Sequence, residues 1–359
     1  MVALIGLFAI STCGCSSPKV QSQNFPFKVK EEFEVSTPGA AVAVNWSPDG
    51  SRLAAASDYG GVLTVWDASG HRVSQMQKIG GGPNLWGSLS FVRGNSELLF
   101  QPPGDADADA AFSIWDVATG KLIDTVEGPD SGGGRPNLAA WFAISSDQSL
   151  LAVANNYRGR NLFLYDTRTW RFLRGYRLEQ GADSLAIFGS DRSVAIGSLR
   201  SELAVLDTSK AAPPRQYQVY PLSRYGDFPV EAVAGSPDGK LILGGVGLIV
   251  FFEANLTAPP VVAWRHSFDP VWVLRRSDGA RIASFKLASP PIRAAAWDPK
   301  GRYVAILDQL GRLFVWRPLA PVLSYSEIDA GGELSLAISP DGRRIAVTTS
   351  NGVTVYTIG

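Results

Sequence analysis

Cysteine and histidine are almost missing from this chain of 359 residues, which holds two of each. Cys13 and Cys15 both lie within the first 15 residues, and His71 and His266 stand far apart. That scarcity argues against a Cys/His zinc site, a disulfide framework and a Cys–His nucleophile pair. No Gly-x-Ser-x-Gly elbow and no cysteine pattern for haem occur, and no cofactor is expected. Charge of one sign is also lacking: 33 Lys+Arg balance 33 Asp+Glu. Without a basic field the chain has no electrostatic footprint for a phosphate backbone, so nucleic acid is not an expected partner. What remains is 45% hydrophobic with 37 glycines, which suits a large folded core rather than a disordered chain.

The longest apolar stretch at the N-terminus, Val2 to Ile10, has the length of a signal-sequence core and is too short to span ~30 Å of hydrocarbon as a helix. Small residues follow, with Gly14 directly before Cys15. This stretch resembles a bacterial lipoprotein signal, although no Lys or Arg precedes the apolar run. The resemblance implies a signal peptide over residues 1–14 and lipidation of Cys15. Ser16 after that cysteine implies the outer membrane if the organism has two membranes, and otherwise an extracytoplasmic surface. An ordinary cleaved signal, or a buried strand, is the alternative. Residues 15–27, polar and proline-containing, read as a tether that reaches up to ~45 Å.

From residue 28 onward, short alternating stretches are closed by turn residues. The clearest unit is AVAVNW, the turn Ser47-Pro48-Asp49-Gly50, RLAAAS, VLTVWD, a second turn, and RVSQMQ. These are four short strands with turn chemistry between them. First turns recur near residues 47, 93, 145, 190, 236, 298 and 339, mostly at intervals in the forties. Such a period with four strands per unit predicts an all-β, seven-bladed β-propeller of four-stranded antiparallel blades over residues 28–359. The seventh unit has only three strands. The segment 28–37, with alternating Val29, Phe33 and Val35, is expected to supply the fourth and close the ring.

Third strands end on Trp66-Asp67 and Trp115-Asp116, with Tyr165-Asp166 and Leu206-Asp207 in the same place. Together with Ser-Pro-Asp-Gly at 47, 236 and 339, these motifs resemble the WD40-repeat family, in which propellers recruit protein or peptide partners. The family's Gly-His pair before the first strand is absent, so no blade can hold its His-containing hydrogen-bonded tetrad.

Within each blade the first-to-second and third-to-fourth turns share one face, called the bottom. The second-to-third and blade-to-blade loops share the top. A closing strand that begins at residue 28 starts at the bottom, so a lipid on Cys15 is expected to hold the bottom towards the membrane. The top collects the irregular loops and the candidate partner-binding residues Tyr59, Trp86, Arg135, Tyr157, Arg158 and Tyr225. Asp105, Asp107 and Asp109 are spaced as in a calcium loop. Ala110 stands at its sixth position and Asp116 at its twelfth, so a solvated acidic loop is expected and a metal site is the alternative. The fifth unit (247–287) has an additional hairpin. Residues 247–266 and 271–285 compete for its outer strands, and the second fits the WD40 pattern better.

The expected function is a membrane-tethered, non-catalytic interaction scaffold of the bacterial cell envelope, monomeric or within a larger complex. A propeller enzyme, or a small-ligand- or metal-binding lipoprotein acting on an envelope substrate, is the alternative.

Overall fold

The computed structural model describes residues 20–23, 25–57, 61–77, 88–101, 110–127, 140–155, 161–179, 181–190, 192–198, 202–210, 212–219, 229–246, 271–285, 292–321 and 324–359. These residues form seven antiparallel sheets and no helix. Blades 1 to 6 start at Ala41, Ser88, Ala140, Ala182, Val230 and Ile292, and each runs through four strands in sequence order. Blade 7 takes three strands from Gly332–Ile338, Arg344–Thr349 and Gly352–Ile358. Its fourth is Val29–Ser36, which pairs with Gly352–Ile358. The backbones of Lys28 and Gly359 exchange two further hydrogen bonds, of 2.6 and 2.9 Å. Ring closure by the N-terminal strand is thus as expected.

The core is divided rather than central. Seven apolar clusters lie each between two neighbouring blades. One joins Leu63, Val65 and Met76 of blade 1 to Leu89, Phe91 and Phe100 of blade 2. Another joins Val35, Val353 and Val355 of blade 7 to Ala41, Trp46 and Trp66 of blade 1. Every blade buries both faces, which is why its inner strands read as runs of Ala, Val, Ile and Leu instead of clean alternation. Within the third strand of blade 2, Trp115 Nε1 donates to Ser113 Oγ at 2.8 Å.

The two hairpins that compete in blade 5 are resolved in favour of the second. Val271–Arg275 pairs with Leu241–Val246, and Arg281–Phe285 lies outside it. Residues 247–270 lie outside the described residues.

The segment read as a tether differs from expectation. Val20–Gln23 forms a fifth strand on the outer edge of blade 6, antiparallel to Tyr325–Asp329, with Val20 opposite Ile328 and Gln23 opposite Tyr325. The outer strand of a blade rises from bottom to top, so this added strand descends. Phe25 and Phe27 then pack at the bottom against the cluster between blades 6 and 7. Phe27 stands 6.3 Å from the ring of Tyr303 and 5.8 Å below the Arg302 guanidinium. The chain therefore reaches the ring at the top of blade 6, not at the bottom. The expectation that the bottom faces the membrane loses its geometric basis.

Candidate functional site

The bottom turns spend their polar groups on themselves. Ser47 Oγ donates to Asp49 at 2.8 Å and accepts the Arg52 amide at 2.9 Å. Ser145, Ser236 and Ser339 repeat the arrangement with Asp147, Asp238 and Asp341. Partial burial works against ionisation of Asp49, yet hydrogen bonds from the Ser51 amide, Ser47, Ser51 and Asn95 outweigh it and hold the carboxyl down at about 2. The residue closing this turn is Gly with φ of +72° at Gly50 and +68° at Gly342, but Gln148 at +54° in blade 3. Left-handed Gln148 costs about 1–2 kcal/mol, and its side chain offsets this by accepting the Gly94 amide of blade 2 at 2.7 Å. The second set of bottom turns is built alike: Asp67 accepts the Ser69 and His71 amides. His71 itself is 83% exposed, 3.3 Å from Asp67, with no second catalytic-type group beside it among the described residues. These are structural turns.

The expected top-face residues Tyr59, Trp86, Arg135, Tyr157, Arg158 and Tyr225 lie outside the described residues, as do Cys15, His266 and the acidic triplet Asp105, Asp107 and Asp109. Among the described residues no group of three His, Cys, Asp or Glu is placed to hold a metal ion.

The structure brings together a different set. The first strand of each blade is innermost and borders the channel. In blades 1, 4, 5 and 6 it carries a β-bulge at its second residue: Val42, Asp183, Glu231 and Arg293 each drop out of the pairing ladder at the top end. A bulge re-aims a side chain, and bulges gather at functional rims. Three adjoining blades thus set Asp183, Glu231 and Arg293 at one level of the channel wall. Arg293 and Glu231 form an ion pair at 3.7 Å across the boundary between blades 5 and 6, with side chains 24% and 12% exposed. Asp183 is pushed up to about 7, first by burial and then by the Glu231 carboxylate beside it. Near neutral pH the cluster balances between zero and one net negative charge, and a cation or hydrogen-bond donor entering from the top would tip Asp183 to its ionised form.

The cluster carries a signal in the sequence. Aligned on their bulges, the inner strands read AVAV, ADSL, VEAV and IRAA, so one column turns from apolar in blade 1 to charged in three consecutive blades. Strand alternation alone places that column on a covered face, and the bulge is what changes its setting.

The family model described as WD domain, G-beta repeat matches residues 32–67. That stretch is the outer strand of blade 7 followed by three strands of blade 1, ending on Trp66-Asp67. The sequence repeat is thus offset by one strand from the blade. A search of curated proteins returned no match.

Proposed function

With a WD40 repeat at residues 32–67 set in a seven-bladed propeller, we propose that this protein is a membrane-tethered, non-catalytic interaction scaffold of the bacterial cell envelope. WD40 propellers commonly serve as protein-interaction scaffolds, and a protein or peptide partner is bound here through the top face. The observation that carries this reading is the Asp183–Glu231–Arg293 cluster at the top end of the channel, set against a bottom whose polar groups are consumed in its own turns. A cationic side chain of the partner, a Lys or an Arg, is the complementary group for Asp183 and Glu231. Lipidation of Cys15 supplies the tether, and the top-face loops supply the wider contact.

Crosslinking and pull-down from solubilised envelopes tests the proposal, with wild type compared with a deletion of 247–266 and with Asp183→Asn/Glu231→Gln. Loss of the same partner from either variant is the expected result. Equal recovery from all three refutes the top-face reading. One observation favours a second reading, a propeller enzyme or ligand-binding lipoprotein: a carboxyl that titrates near 7 is suited to general acid–base work. Under that reading Asp183→Asn would abolish turnover of an envelope substrate and leave partner recovery unchanged.

A further inference from the structure

We propose that the ring leans on the membrane by the top corner of blade 6, with the turn at residues 309–311 resting at the lipid headgroups. The inference depends on the lipid anchor at Cys15 and adds to it an orientation. Its first support is the length of chain between anchor and ring. Val20 is fixed to blade 6 by its pairing with Ile328. Cys15 is five residues earlier, and at ~3.5 Å per residue the acylated atom cannot lie more than about 18 Å from that point. A free tether up to residue 27 would have allowed ~45 Å and any orientation. The strand Val20–Gln23 removes most of that freedom.

The second support is where the chain ends. Val20 lies at the top of the outer edge of blade 6, one pair below Asp329. The next residue, Ala330, donates its amide to Gly311 at 3.1 Å, so the point of chain entry adjoins the turn that follows the second strand. That turn presents Leu310, 59% exposed. A solitary exposed leucine is ordinary on a protein surface, but this one lies beside the place where an acyl chain would enter the bilayer. A leucine and a short acyl tether at one corner can share an interface that neither would hold at a fixed angle alone. Leu319, 61% exposed in the bottom turn of the same blade, is the matched control on the opposite face.

The chain makes the test clean. Cys13 precedes the cleavage point and Cys15 carries the lipid, so an added cysteine is the sole free thiol of the mature protein. Lipidated Leu310→Cys and Leu319→Cys proteins are purified from membranes, labelled with an environment-sensitive fluorophore, and placed in vesicles of phosphatidylethanolamine and phosphatidylglycerol. A headgroup-level nitroxide lipid is the quencher. Quenching at position 310 at least twofold above that at 319 is expected. Equal quenching, stronger quenching at 319, or none at either site on vesicle-bound protein overturns the orientation and leaves the anchor standing. A Cys15→Ser protein that still sediments with membranes overturns the anchor, and the orientation with it. Ser22→Pro/Gln23→Pro, which removes the ladder donor from this half of the added strand and the adjoining N–H on its open edge, is expected to keep the protein on vesicles and erase the difference between the two positions. A difference that survives this change shows that the strand does not set the orientation and overturns the proposal.

Discussion

Blade 6 has replaced the self-satisfied bottom turn by an ion pair, and the replacement can be reversed. Where blades 1, 5 and 7 read Ser-Pro-Asp-Gly, this one reads Asp298-Pro299-Lys300-Gly301. Asp298 is fully buried and takes the Arg302 guanidinium at 2.8 and 3.0 Å and the Arg302 amide at 2.9 Å. Arg302 also donates to the Gly342 carbonyl of blade 7 at 2.6 Å. Removing one partner of a buried pair costs about 3–5 kcal/mol. Here the amide bond stays and the arginine is a third exposed, so Arg302→Ala is expected to cost about 2–3 kcal/mol. In an Asp298→Ser/Lys300→Asp background the turn regains its own hydroxyl and carboxylate. Arg302→Ala then loses only the Gly342 bond and the Phe27 and Tyr303 ring contacts, which are lost in the wild-type background too and cancel in the cycle. The double-mutant cycle should show about 1–2 kcal/mol of coupling, read from urea midpoints at unchanged m. Equal cost in both backgrounds would refute the claim that Arg302 is there to satisfy Asp298.

Gly244→Ala should destabilise blade 5 by about 1–3 kcal/mol, since its Cβ would run into the ring of the fully buried Trp272 on the paired strand. A lowered melting temperature with shifted tryptophan emission checks this. Asp183 carries a pH signature whose sign is fixed: an acid raised from 3.8 to about 7 keeps its proton in the folded state while the unfolded chain loses it. Stability from this group is present below about pH 4 and falls as pH rises to about 7. Scanning fluorimetry of Asp183→Asn should therefore give a flatter dependence than wild type between pH 5 and 8. Parallel curves would show that Asp183 does not titrate there.

Blade number and closure were legible because they are written in turn chemistry. Ser-Pro-Asp-Gly closes the first turn of blades 1, 5 and 7, Trp-Asp ends the third strand of blades 1 and 2, and Val29, Phe33 and Val35 mark the closing strand, in which a bulge at Glu32 turns Val29 towards blade 6 and Phe33 and Val35 towards blade 1. The outer hairpin of blade 5 was legible for the same reason, through Ser277-Asp278-Gly279 between two strand-like runs. The strand Val20–Gln23 was not. Its sequence, VQSQ, has one apolar residue and reads as solvated tether; its placement rests on backbone bonds to an outer strand, which any non-proline residue can supply. The charged column at the channel was hidden by a different cause. Asp183, Glu231 and Arg293 share strand parity with Leu185, Val233 and Ala295 and so read as covered positions until the bulge before the next paired residue is known.

The closing strand has a consequence for how the protein is made. Glu34 and Thr354, joined at 3.2 Å, are separated by 320 residues. Blades 1 to 6 can each collapse locally as they are synthesised, but Val29–Ser36 must wait for Gly352–Ile358. Until then blade 7 stays incomplete and the flank of blade 1 is uncovered. Final closure is thus a late, long-range event of the slow kind, and the nascent chain is vulnerable to edge-to-edge association until it occurs.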